Sequence, residues 1–242
     1  MIEKNIHYCW FGKNKIPREL KKYIKTWKKK CPDYNVKIWT EENFDIAIND
    51  FVKKAYETQN WAFVSDYARL KIIYENGGIY LDTDVELLKS FNSILDNKAF
   101  FAIQQNGCYI NTGLCFGAQK NNEIIRKLMD VYEKINFSES SKKSLACPIL
   151  NTAVFEKNGF VRENRTQILK DGITVFSSEY FDPISPDTNN NLLSEKTISI
   201  HHYSATWMSR SKKIKRKISN FIGQKNINRI KKIIKRGKNV KN

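Results

Sequence analysis

Two rows of apolar residues run at helical spacing through residues 62–75, Phe63, Tyr67, Leu70 and Tyr74 in one and Val64, Ala68 and Ile72 in the other. The pattern predicts a helix with so little polar surface that it must be buried. Asn76, Gly77 and Gly78 tolerate positive φ, so the helix is expected to stop there and turn at once into a short strand over 79–81. Upstream, residues 5–11 read as a buried strand closing at Gly12, where a backbone could approach a ligand closely. Pro17 opens an amphipathic helix that ends before Pro32, with Leu20, Tyr23, Ile24 and Trp27 inward and Lys21, Lys22, Lys25, Lys28 and Lys29 on a solvated face. Residues 36–39 form a second strand. Strand, helix and strand in this order make a right-handed parallel unit, whose ligands sit at the carboxyl ends of its strands.

Further along, 99–104 and 114–118 read as strands with Asn111, Thr112 and Gly113 as a turn between them. Residues 123–134 form a helix, and the segment 147–155 starts another with Pro148 in its first turn. Residues 181–191, broken by Pro183 and Pro186, read as an irregular, mobile connection to which no chemistry is assigned; 198–203 is the last strand. Beyond it Ile214, Ile218, Phe221 and Ile222, then Ile227, Ile230, Ile233 and Ile234, recur at helical spacing among lysines and arginines, around a break near Gly223. The expected architecture is α/β: a single Rossmann-like domain over 1–209 with a mixed, mainly parallel sheet flanked by helices, and a basic amphipathic helical tail over 210–242.

Composition adds limits. The 242 residues, 41% hydrophobic and 12% aromatic, suffice to bury one good core. Five cysteines without a C-x-x-C pair indicate neither a disulfide framework nor a zinc site, and fit a reducing cytoplasm. No window approaches eighteen uninterrupted apolar residues and the N-terminus lacks a secretory pattern, so neither export by signal peptide nor a membrane span is expected. A net charge of +17 suggests a nucleic-acid binder, but its distribution argues otherwise. From Arg210 onward there are fourteen Lys or Arg and no acid, which leaves only +3 for residues 1–209.

The candidate chemistry lies on either side of the glycine stop. Asp66 and Arg69, three apart on one helix face, either line a cleft or form a local ion pair. Asp82 and Asp84, two apart in extended chain, project from the same side and can converge on one hard cation, Mg²⁺ or Mn²⁺, whose open positions suit a diphosphate. Tyr80, two residues before Asp82 on the same strand face, is expected to line that pocket. Trp10, at the end of the first strand, has a flat face that either packs in the core or stacks on a nucleobase. His201 and His202 point to opposite faces, so at most one can join the site.

The stretch SDYARLKIIYENGGIYLDTDVELL closely resembles the DXD-containing sugar-transfer segment of glycosyltransferase family 32, which includes bacterial capsular-polysaccharide transferases and yeast initiating mannosyltransferases. The catalytic domain of the large clostridial glucosylating toxins is similar more distantly. The resemblance runs from about Ile6 to about Trp207 and implies a GT-A-like fold. It also implies metal-dependent transfer of a hexose or N-acetylhexosamine from a nucleotide diphosphate sugar, taken to be a UDP-sugar, to a glycan acceptor, with retention of configuration. By that resemblance Asp82, Asp84 and His202 would hold Mn²⁺ or Mg²⁺, and Trp10 would pack on the donor's base. Trp207 would hold the donor diphosphate, with Ser204 a further hydrogen-bond donor. Asp66, Arg69 and Asn111 would hold the sugar, with Ser65, Thr112 and Tyr80 beside them. A Pro-containing segment like 147–155 borders the acceptor in the family, although the usual preceding Gly is Cys147 here. The basic tail suggests an anionic membrane surface at the inner face of the cytoplasmic membrane and a lipid-linked glycan acceptor there. Two other classes compete: a nucleotidyltransferase or other phosphate-handling metalloenzyme, which would also use paired aspartates, and a nucleic-acid-binding protein.

Overall fold

The computed structural model describes residues 1–204 apart from 139, 141, 143 and 186–189. Within residues 1–203, which form one compact unit, a sheet has the order β2-β1-β3-β7-β5-β9-β8. Its strands are β1 (Asn5–Cys9), β2 (Asn35–Trp39), β3 (Gly78–Tyr80), β5 (Ala99–Gln104), β7 (Phe116–Ala118), β8 (Gln167–Leu169) and β9 (Ile173–Phe176). The short β6 (Tyr109–Ile110) hangs on β5. β2, β1, β3, β5 and β9 run one way and β7 and β8 the other, so the sheet is mixed and mainly parallel in direction.

Both faces of the sheet are covered, which is why its central strands are apolar on both sides. In β5 Phe101 and Ile103 face one core layer with α2 (Asp50–Glu57), α3 (Trp61–Asn76), α4 (Glu123–Glu133) and α5 (Cys147–Glu156). Phe100 and Ala102 face the other, with α1 (Arg18–Lys30) and α6 (Ser178–Phe181). Phe101 meets Phe155 at 4.6 Å between ring centroids, and Phe100 stacks on Phe181 at 5.8 Å. Of the four residues of α1 expected inward, Leu20 and Trp27 are buried and Tyr23 and Ile24 only half-buried. The Trp27 indole N–H donates to the Val85 carbonyl at 2.7 Å.

The helix, glycine and strand pattern is reproduced in α3, Gly77 and β3. Gly78 has φ +92°, and a side chain there would meet the Asn5 carbonyl at 2.7 Å, because β3 enters the sheet pressed against β1. Differences from the sequence reading are local. α2, β8 and β9 lack a sequence signal long enough to stand out from neighbouring loops. The first strand stops at Cys9 and the last, β10 (Ser199–His201), at His201. β10 does not join the main sheet. It pairs antiparallel with β4 (Val85–Leu87) in a separate two-stranded ladder, with His201 opposite Val85. Residues 205–242, on which the tail helices and Trp207 fall, lie outside the described residues.

Candidate active site

The carboxyl ends of β1 and β3 lie side by side, because β1 pairs in parallel with β3 and the Leu81 amide extends that pairing by donating to the His7 carbonyl at 3.1 Å. The chain then folds back in a tight turn, the Val85 amide donating to the Asp82 carbonyl at 3.1 Å, so that Asp82 and Asp84 stand at the mouth of the sheet. Three segments converge on them.

One is α3. The Arg69 side chain is 4% exposed, and its Nη2 lies 3.1 Å from Asp66 Oδ1 and 3.3 Å from Asp82 Oδ1. Its Nε donates to the Ser65 carbonyl at 3.1 Å, and its guanidinium lies over the Tyr80 ring at 5.0 Å. Asp66 and Arg69 therefore reach beyond a local ion pair and tie α3 to the DTD turn. Tyr80, 1% exposed beneath Arg69, does not line a pocket as the strand alternation suggested. Its face of β3 is the one α3 covers, and its hydroxyl instead supports Asp82.

The turn between β6 and β7 closes the site from the other side. The Asn111 side-chain oxygen accepts from the Gly113 amide at 2.8 Å, and its amide nitrogen donates to Gln104 Oε1 at 2.9 Å. A Cβ at Gly113 would stand 2.7 Å from Asp82 Oδ2 and 3.1 Å from Arg69 Nη1, so this position admits no side chain while the carboxylate stays where it is. Thr112 accepts from Asn151 Nδ2 at 3.0 Å, and Cys147 Sγ lies 3.5 Å from Asn111 Oδ1 and 4.0 Å from Arg69 Nη1. The start of α5 thus borders the cluster, with Cys147 a buried thiol that desolvation keeps protonated.

The third is β10, and it corrects the choice between the histidines. His201 Nε2 lies 3.1 Å from Asp84 Oδ1. His202 points the other way, its Nε2 2.8 Å from Glu86 Oε2 and its ring stacked on Tyr23 at 4.2 Å. Register decides this: the strand ends at His201, and antiparallel pairing with β4 turns Ser199 and His201 inward, so the partly exposed His202 cannot face the aspartates. Asp82, Asp84 and His201 each offer a ligand atom, and these atoms all lie within 4.8 Å of one another.

Charge makes this cluster receptive to a cation. Burial pushes the Asp66 carboxyl up to about 6, against the pull of Arg69. Burial also raises Asp82, with Arg69 opposing and Asp84 adding to the rise. Burial, the largest influence, disfavours charge on His201, yet the carboxylates of Asp84, Asp82 and Asp182 together outweigh it and raise its pKa. Three carboxylates thus face one guanidinium and one imidazole. Two carboxylates and an imidazole nitrogen fit a divalent cation of Mn²⁺ type, with the remaining positions open.

Trp10 follows β1 at the same edge, half-buried, its indole N–H donating to the Asn14 carbonyl at 2.5 Å. The backbone of Gly12 is already occupied: the Trp61 ring packs where its Cβ would be, 2.8 Å away at the nearest atom. Ser204 is half-buried. A separate cleft of about 710 Å³, bounded by Lys98, Lys120, Asn122 and Lys170, opens at the opposite edge of the sheet, where β5 and β9 begin.

Residues 17–101 match the family described as glycosyltransferase sugar-binding region containing DXD motif. "Subversion of eukaryotic traffic protein A" of Legionella pneumophila is 26% identical over 170 residues, 58% of this chain and 26% of that protein. "Uncharacterized glycosyltransferase L373" of Acanthamoeba polyphaga mimivirus is 24% identical over 205 residues, 79% of this chain and 77% of that one. The chain thus spans about a quarter of the Legionella protein. Among solved structures, "PaToxG Glycosyltransferase" matches with a TM-score of 0.55 and 23% identity, over 64% of this chain and 69% of that one. The fold is GT-A-like, and the stretch that matches the sugar-binding family model, residues 17–101, includes Asp82–Thr83–Asp84, a D-x-D sequence.

Proposed function

We propose that the protein transfers a hexose or N-acetylhexosamine from a UDP-sugar, in the presence of Mn²⁺, to a glycan acceptor with retention of configuration. The observation that carries the reading is the convergence of Asp82, Asp84 and His201 within 4.8 Å, joined by Arg69 to Asp66. Asp82, Asp84 and His201 would hold the cation, which when bound neutralises the charge of a departing diphosphate. Asp66 accepts hydrogen bonds from sugar hydroxyls. Arg69 fixes Asp66 and Asp82 relative to each other, so the sugar and the diphosphate are placed by one rigid unit. Asn111 and the start of α5 flank the sugar, and Trp10 offers its ring face to the base. With the basic tail at the inner face of the cytoplasmic membrane, the acceptor is a lipid-linked intermediate of surface-polysaccharide assembly.

A screen of nucleotide sugars for Mn²⁺-dependent hydrolysis tests the reading without an acceptor. Release of free nucleoside diphosphate supports it; release of monophosphate or pyrophosphate would instead identify a nucleotidyltransferase.

A further inference from the structure

Asp182 is fully buried, and it belongs to the proline-broken segment that sequence reading leaves without chemistry. A carboxylate out of water costs several kcal/mol unless it is well paired. As the residue that ends α6, Asp182 needs only its backbone, whose amide donates to the Ser178 carbonyl at 2.8 Å. The side chain is used elsewhere. Its Oδ2 accepts from the Gln105 amide at 2.8 Å and from the Tyr203 hydroxyl at 2.8 Å.

Tyr203 is the connection to the metal-ligand cluster. Its backbone has φ +49°, an uncommon conformation for a residue with a bulky side chain, and one that persists only where the surroundings hold it. Its ring meets the His201 ring edge-on at 4.2 Å between centroids. Among the described residues the Nδ1 atom of His201 has no hydrogen-bond partner, so none of them supplies the hydrogen bond that commonly fixes the orientation of a metal-bound histidine. What holds the imidazole is the Tyr203 ring on one side and Asp84 on the other.

We propose that Asp182 is a positioning residue for the cation site: through the Tyr203 hydroxyl it locks the ring that orients His201 toward Asp82 and Asp84. The inference rests on the reading of Asp82, Asp84 and His201 as a metal centre. It makes residues that follow α6, β5 and β10 part of one support for a single imidazole.

The test is Mn²⁺ affinity of the full chain, measured by electron paramagnetic resonance with Mn²⁺ alone, beside thermal melts of the metal-free protein. Asp182→Leu keeps the size and removes both acceptor oxygens; Tyr203→Phe deletes one hydroxyl and leaves the ring. Each should weaken Mn²⁺ binding about tenfold or more, and the double variant should be no worse than the weaker single one, because both cut the same link. Gln105→Leu is the control. It removes the side-chain hydrogen bonds to the Asp182 and Pro183 carbonyls but keeps the amide that Asp182 uses, and it should leave the affinity unchanged. Should Asp182→Leu not fold, Tyr203→Phe decides alone. Wild-type affinity in Tyr203→Phe, or equal loss in Gln105→Leu, overturns the proposal. Failure of the wild-type chain to bind Mn²⁺ at all would overturn instead the metal centre on which it rests.

Discussion

At the residue scale, the two histidines separate cleanly. His201→Ala removes one of three clustered ligand atoms and should weaken Mn²⁺ binding at least about tenfold, whereas His202→Ala removes only a partly exposed contact with Glu86 and Tyr23 and should leave binding nearly unchanged. A titration of both variants that gave the reverse order would restore His202 to the site. Asp66 makes a prediction of opposite sign to the usual carboxylate. Its folded pKa of about 6 lies above the unfolded value, so the charged form is disfavoured on folding: the group costs stability above pH 6, and that cost disappears as pH falls toward 4. In the metal-free protein Asp66→Asn should therefore be more stable than wild type at pH 8, by up to about 3 kcal/mol, with the gap narrowing toward pH 5. Urea unfolding of both proteins at a series of pH values checks it; a gap that widened on acidification would mean that the pair with Arg69 stabilises the fold.

At the scale of elements, much was legible because pattern and chemistry coincided. The two apolar rows of α3, the glycine stop and the Asp82–Asp84 spacing each fix a local geometry, and together they place both carboxylates at a sheet edge without knowledge of any long-range contact. What sequence reading missed was set by register. Nothing in HHY says which histidine faces inward until β10 is known to pair with β4, and nothing around Tyr80 says that α3 will cover its face. The same holds for Gly113, legible only as a turn residue until the structure brings Asp82 against it. Here φ is not left-handed, so the demand for glycine comes from space and not from backbone conformation. Gly113→Ala should displace the Asp82 carboxylate and lower Mn²⁺ affinity and donor hydrolysis about tenfold or more, with a much smaller change in thermal stability. A large drop in melting temperature with normal metal binding would show that the turn, and not the carboxylate, is what yields.

At the scale of the whole molecule, charge is divided unevenly, with fourteen of the seventeen net positive charges after Ser209. Each basic residue near an anionic bilayer contributes about 1 kcal/mol, so engagement of a fraction of them would hold the protein there. The full chain should sediment with anionic vesicles and not with neutral ones, and a chain ending at Ser209 should stay in the supernatant while still hydrolysing donor. Equal sedimentation of both chains would remove the membrane role.

The ladder between β4 and β10 also sets an order of events during synthesis. Asp82 and Asp84 leave the ribosome more than a hundred residues before His201, so the nascent chain can assemble α3 and the first strands while its cation site still lacks the imidazole. On the proposed reading, the metal centre can become complete only once the returning strand has docked beside the turn that preceded it.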